Sequence, residues 1–510
     1  MVIFKQNKRK NPNPQSSGSA EITNCIATAK DPLGNTTTQT TNDLLGIVTQ
    51  TVDAMGTKAT PTYDALQRLL STTVSDVNNT QLAKSTVTYD PSKRLQSITA
   101  GGTAYWFDYN PFGDLFTISI GTAAQGPTQI LVHYYYQSNT NHSLAEIEYA
   151  NGQSVAYTYD GNNNLIKTAY SDDDGTTWKD QQGANYDELG NQLLSIDYVN
   201  GTSTKTLDDG SVQVYNKTDG TGTVIQSLSG SSTAADDSIS TTNSIAETVN
   251  GKTYNTSYTQ TADSPIAMTK ITKSSDPANA ANTKTTKTTA LDPFGRVGSS
   301  TVHVNSSDIF KTTYTYSGDT TKNPQTTSNQ ICTSDIKGTN FGELKSDYTY
   351  DKNGNILTVT QNGVMQYSYV YNALNELTRY NDIQNQKSYF YSYNNQGTAM
   401  AVTTFSGCTF DGKGTLLSYT GNPSSASSSI NTNWPDEVVA VSNGVPITYD
   451  TAGNMKTYNG ATYTWMNGHN LATYTKGSTS VSYKYNAAGL RTSKTVNGVV
   501  SVKLVLSKDD

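Results

Sequence analysis

The run YDKNGNILTVTQNGVMQYSYVYN, Tyr350 to Asn372, decides how the rest of the chain is read. It opens on an aromatic residue and a polar bend, Asp351-Lys352-Asn353-Gly354-Asn355, and continues into an alternating stretch from Ile356 to Gln361. Asn362-Gly363 interrupts, and a second alternating stretch ends in Tyr367, Tyr369 and Tyr371. Side chains alternate across a strand, so these three tyrosines share one face. Asn-Gly tolerates positive φ at both central positions of a type I′ turn, the strongest short hairpin signal. In the other bend, Asp offers an acceptor to backbone N–H groups and Gly a permissive φ. The run is one hairpin with turn chemistry at each end.

The same grammar recurs outward in both directions. Upstream it returns at Tyr63-Asp64, Tyr89-Asp90, Tyr109-Asn110, Tyr159-Asp160 and Tyr186-Asp187. Downstream it returns at Tyr371-Asn372, Tyr393-Asn394, Tyr449-Asp450, Trp465 with Asn470, and Tyr485-Asn486. Contiguous units lie roughly 16 to 27 residues apart, the mark of a repeat architecture. Further Asn-Gly turns fall at Asn151-Gly152, Asn200-Gly201, Asn250-Gly251, Asn443-Gly444, Asn459-Gly460 and Asn497-Gly498. Hairpins set side by side give one antiparallel sheet, which must twist and coil. Each unit depends on its neighbours for burial, and the tyrosines form cross-strand ladders. The expected fold is therefore all-β: tandem hairpins in a long, coiled antiparallel sheet, a partial spiral or shell.

Composition agrees. Hydrophobic residues make up 34% of 510 and charged residues 15%, while 34 tyrosines argue against a disordered chain. Tyr and Thr suit pleated, half-buried surfaces, so a thin β core is expected. Lys plus Arg is 35 against 42 Asp plus Glu, a net charge of −7, which excludes a general nucleic-acid binder. No stretch approaches the ~18 apolar residues of a membrane span. Cys25, Cys332 and Cys408 are isolated and read as buried free thiols. His133, His142, His303 and His469 have no metal spacing, and no cofactor is expected. Asp351 to Asn355 and Asp160 to Asn164 look superficially like Ca²⁺ loops but lack the Gly and Glu such loops need, so they read as β-turns.

Four segments are expected. Residues 1–20, with Lys5, Lys8, Arg9 and Lys10, read as a disordered basic tail. Residues 21–200 and 348–510 read as repeat sheet, and 201–347 as diverged Thr/Ser-rich repeats with long loops. Gly421 to Asn433 reads as another loop. Met1 to Phe4 is too short an apolar run for a signal peptide, so export would use another route, or the chain lacks its true N-terminus.

The units Tyr350-Asp-Lys-Asn-Gly-Asn-Ile and Tyr449-Asp-Thr-Ala-Gly-Asn-Met resemble the YD repeats of RHS proteins. Asp31-Pro-Leu-Gly-Asn35, Asp292-Pro-Phe-Gly-Arg296 and Tyr485-Asn-Ala-Ala-Gly-Leu-Arg491 fit the same pattern. The family includes bacterial polymorphic toxins, shell-forming subunits of insecticidal toxin complexes, wall-associated proteins and teneurins. The resemblance implies a sheet that spirals into a hollow shell able to hold an unfolded toxic segment; some members are credited with carbohydrate or cell-surface binding. No match to the core motif that precedes autoproteolysis and the toxin domain is found before Asp510, so cargo and cleavage machinery are not expected within this sequence.

Two sets of residues stand out. Ser171, Asp173, Gly175 and Trp178 fit the Asp-box of sialidase propellers, where the element is a structural turn: Asp173 caps N–H groups, Gly175 takes a special φ and Trp178 packs beneath. Only six arginines exist, scattered over the repeats, so a sialidase carboxylate-binding cluster is not expected. The runs Tyr105-Trp106-Phe107, Tyr134-Tyr135-Tyr136 and Tyr389-Phe390-Tyr391 place aromatics on both strand faces. One face must point outward, which makes Tyr105, Trp106, Tyr135, Tyr389 and Tyr391 the candidate contacts for a glycan or partner. The expected function is a non-enzymatic scaffold, secreted or at the cell surface, that encloses or presents a protein cargo or partner subunit. The alternatives are a cell-surface carbohydrate-binding protein and, behind it, a sialidase-like glycosidase.

Overall fold

The computed structural model describes residues 2–5 and 24–503, apart from 43, 139–140, 235–239, 250–251, 264–265, 275–283, 306, 320–325, 340–341, 396, 432, 435, 442–443 and 486–488. Among the described residues there is no helix. Strands pair antiparallel, nearly all with their neighbours in sequence: a 33-stranded sheet ends at Ser424–Ser427, which skips the small two-stranded sheet of Thr409–Phe410 and Leu416–Ser418 to pair with Ala399–Ser406, and a 9-stranded sheet takes over from Ser429–Ile430. The ladder breaks at Ser428, whose N–H turns back to the Met400 carbonyl.

Among the described residues the YD bends share one construction, seen at Asp351 to Asn355. In Asp351 to Asn355, the Asp351 N–H donates to the Asn355 carbonyl and the Gly354 N–H to the Asp351 carbonyl. Asp351 Oδ1 accepts the N–H groups of Asn353 and Asn355, and Oδ2 accepts the Asn355 side-chain amide. The fourth residue has positive φ, +92° at Gly354, the conformation in which glycine carries no Cβ penalty. Asn163 and Asn375 take the same place with φ of 67° and 61°, and so do Gln67 and Lys93. Where the fifth residue is arginine, as at Arg68, Arg94 and Arg296, its guanidinium pairs with the Asp carboxylate. Asn362-Gly363, Asn459-Gly460 and Asn497-Gly498 have two positive φ values, as type I′ requires. At Asn151-Gly152 and Asn200-Gly201 only the glycine does. Asn250, Gly251, Asn443 and Asn486 lie outside the described residues.

The two faces differ in chemistry. On one, Tyr369, Tyr380 and Tyr389 stack across three strands with centroids 5.5 and 5.4 Å apart. On the other, the residue before the YD aromatic meets a hydroxyl nine positions later. Thr62 with Ser71, Thr88 with Ser97, Thr349 with Thr358, Thr448 with Thr457 and Thr464 with Thr473 are each within 2.6–2.7 Å.

Some expectations change. Val2–Lys5 forms a strand against Asn24–Lys30, so the start of the basic tail belongs to the sheet; the rest of that tail lies outside the described residues. Among the described residues, 201–347 carry long strands such as Ser307–Asp319 and Thr326–Gly338, because Thr-rich segments satisfy the ladder without aromatics. In Gly421 to Asn433, Ser424–Ser427 adds to the sheet. Of the thiols, Cys408 is buried while Cys25 and Cys332 are half-buried.

In a meander, alternate turns fall on opposite rims. We call upper the rim holding the turns at 42–47, 64–68, 110–114 and 187–191, and lower the rim holding those at 53–57, 101–102, 150–153 and 198–201. Fully buried small residues, Ala104, Ser154, Ser171 and Ser203, sit at the lower rim.

Candidate functional site

The lower rim of residues 53–200 is not free: the sheet coils and brings the upper rim of residues 353–492 down onto it. Asn353 Nδ2 donates to Asp53 Oδ2 at 2.8 Å, and Thr57 Oγ1 to the Ala373 carbonyl at 3.0 Å. Tyr105 donates to Asp436 at 2.8 Å and Asn151 Nδ2 to Asp450 Oδ2 at 2.9 Å. Gln129 reaches the Thr451 carbonyl. Gln153 uses both ends of its amide, donating to the Trp465 carbonyl at 2.6 Å and accepting the Gly468 N–H at 2.9 Å. Gln181 donates to Asn467 Oδ1 at 3.0 Å, and Asn200 Nδ2 to Thr492 Oγ1 at 3.3 Å. Partners are separated by 286 to 331 residues, which is one circuit of the coil.

The lock at Gln153 depends on glycine. Asn467 and Gly468 have φ of 50° and 81°, and a Cβ on Gly468 would lie 2.5 Å from the Tyr149 ring. Burial pushes the Tyr149 phenol up to about 12. Tyr105 is also raised to about 12, first by burial and then by its bond to Asp436.

The aromatic candidates do not form one platform. Tyr105 is engaged in the seam. Trp106 is on the opposite face of the same strand, its Nε1 buried without a partner. Tyr389 belongs to the tyrosine stack, and the intervening Phe390 packs edge-on against Phe405 at 5.0 Å. Tyr391 is half-buried, with its phenol raised by burial. Tyr135 is the most open, 38% exposed, stacked on His133 at 4.3 Å and donating to Glu148 at 2.6 Å. In the Asp-box loop, Ser171 Oγ donates to Asp173 and accepts from the Gly175 N–H, while Asp173 accepts the Thr177 N–H. Gly175 has φ of 72°, and Trp178, 37% exposed, lies beside it. This loop is on the lower rim, where the Asp174 N–H donates to the Gly152 carbonyl.

Sequence reading missed Gln153, Asp436, Asp450 and Gly468 as seam residues. Asn467-Gly468 is itself an Asn-Gly dipeptide and could have been found as a turn. Its partner, some 315 residues away, leaves no local signal.

Residues 139–177 match the RHS Repeat family. No curated protein matches the chain. Among solved structures, a TcdB2-TccC3-Cdc42 structure is similar over 93% of this chain and 28% of its own, at 12% identity and a TM-score of 0.49. TcdB2-TccC3 without its hypervariable C-terminal region is similar over 93% and 31%, at 10% identity and 0.42. A Tc holotoxin pore of Photorhabdus luminescens is similar over 92% and 30%, at 13% identity and 0.28. The chain thus spans less than a third of the length of these structures.

Proposed function

We propose that this RHS/YD-repeat chain is the wall of a shell, a non-catalytic scaffold that encloses or presents a protein cargo or partner subunit. The observation that carries the reading is the seam. A sheet that returns to bond its own rim after about one circuit surrounds a space, whereas an open twisted sheet does not. Twenty-five strand steps separate Lys58–Tyr63 from Leu377–Asp382, whose neighbourhoods meet at Thr57 and Ala373. At ~4.8 Å per strand the circuit is about 120 Å around, so a circular section is roughly 40 Å across between backbones. Side chains leave about 30 Å, close to the width of a small domain or a collapsed unfolded chain. The shell reading puts the protein outside the cell or at its surface.

The test is protection. An unstructured reporter fused to the chain, treated with protease, should survive far longer than the same reporter alone. Cleavage at equal rates would refute enclosure.

A second reading is favoured at one place only. Tyr135, exposed and held by Glu148 and His133, offers a ring face and an adjacent carboxylate, the pair a sugar uses. Binding on a glycan array that is lost in Tyr135→Ala would support it; an array with no signal would remove it.

A further inference from the structure

The seam consumes one lower rim and one upper rim, and the coil keeps one of each: the upper rim of the first circuit and the lower rim of the second. At the upper-rim turns the residue two after the Asx has its N–H bound to the Asx side chain, as at Leu44, Leu66, Phe112 and Leu189. On the first circuit four of these residues are apolar and open, Leu44 79% exposed, Leu66 56%, Phe112 75% and Leu189 88%, while Ser92 and Asn162 at the same place in their turns are polar. On the second circuit the equivalent Leu374 and Ala452, whose N–H groups are held by Asn372 and Asp450, are half-buried where their turns meet the seam. The remaining lower rim is also apolar in part, with Val364 51% and Val499 70% exposed. Monomers do not ordinarily keep a row of exposed large hydrophobics without a use for it.

We infer that a second copy of this chain stacks on the first by repeating the seam, the upper rim of one against the lower rim of the next. The two surplus rims are complementary halves of a joint the molecule already makes with itself, and the continuity of that joint names the occupant. The contact is heterologous: it uses different surfaces on the two copies, leaves one of each free, and so extends into a stack. The inference stands apart from any cargo, because it concerns the ends of the coil and not its lumen.

Sedimentation velocity over a range of concentrations tests it. The wild-type chain should show a concentration-dependent series of species. Leu66→Glu/Phe112→Glu/Leu189→Glu on the upper rim and Val364→Glu/Val499→Glu on the lower rim should each sediment as monomers, with unchanged strand content by circular dichroism. Mixed together, the two variants should form a dimer and nothing larger, since each still carries one intact rim. The inference is overturned by a wild-type chain that stays monomeric to its solubility limit. It is equally overturned by assemblies that survive both sets of substitutions, as capture of some other surface would, or by a mixture that remains monomeric.

Discussion

The Tyr89 hydroxyl donates to the carbonyl of Leu69, the residue that follows the preceding YD bend, at 3.1 Å, while Arg68 from that bend lies 4.2 Å over the Tyr89 ring. The relationship repeats at Tyr136 with Leu115, Tyr186 with Leu165 and Tyr316 with Val297, and Tyr350 makes the same kind of bond to the Ile331 carbonyl inside the strand Thr326–Gly338. YD tyrosines such as Tyr89 and Tyr186 thus tie their own hairpin to the one before. Tyr350→Phe removes the 2.7 Å bond to Ile331. It should cost about 0.5–1.5 kcal/mol, read as amide exchange up to about tenfold faster in Thr326–Gly338 and its neighbours. Unchanged exchange there would show that ring packing alone holds the register.

Gly468→Ala should open the seam. The new methyl meets the Tyr149 ring and the residue must keep φ of 81°, a combination worth about 1–3 kcal/mol of strain. Circular dichroism should stay the same, because the strands on either side are local. The distance between spin labels placed at exposed positions across the seam should lengthen and broaden.

Acid should loosen the bends. Side-chain amides of Asn164 and Asn191 are the first cause that holds the Asp160 and Asp187 carboxyls below their usual value, and the Thr177 hydroxyl takes Asp173 down to about 2. A depressed folded-state pKa gives stability that is present above the unfolded value of 3.8 and lost as pH falls through the folded one. Melting temperature should therefore stay level toward pH 4 and drop between about 4 and 2.

Alkali should act in the opposite sense. Burial raises Tyr149 and Tyr380 from 10.0 to about 12. A raised folded-state pKa gives stability that is complete below 10.0 and lost as pH climbs through 12. Absorbance at the phenolate band should lag behind free tyrosine until unfolding, then rise abruptly.

Gln67→Gly should stabilise the bend at Asp64. Gln67 holds φ of 63° in the place that Gly354 fills elsewhere, and relieving that strain should add about 0.5–1 kcal/mol. A lower melting temperature would mean that the Gln67 side chain makes compensating contacts.

The hairpins were legible because their determinants are local: Asp351, Gly354 and Asn355 specify one bend, and Asn362-Gly363 the next. The seam was not, since Gln153 and Gly468 meet only after a full circuit and neither residue type marks the encounter. Tyr105 illustrates the limit. Alternation shows that one face of its strand points away from the sheet core, but not that a distant rim will cover it. In residues 201–347 the loss of aromatics removes the marker of the repeat, while Thr keeps the propensity for strand.

The nine-residue hydroxyl pairs carry one last consequence. Thr349 with Thr358 and Thr448 with Thr457 are exposed, yet each satisfies its partner. The hydroxyls of these rungs are already paired, whereas Val370, in the same place before Tyr371, is 37% exposed. Rungs of this kind tie neighbouring strands together and leave no free hydroxyl at those positions for another chain to pair with.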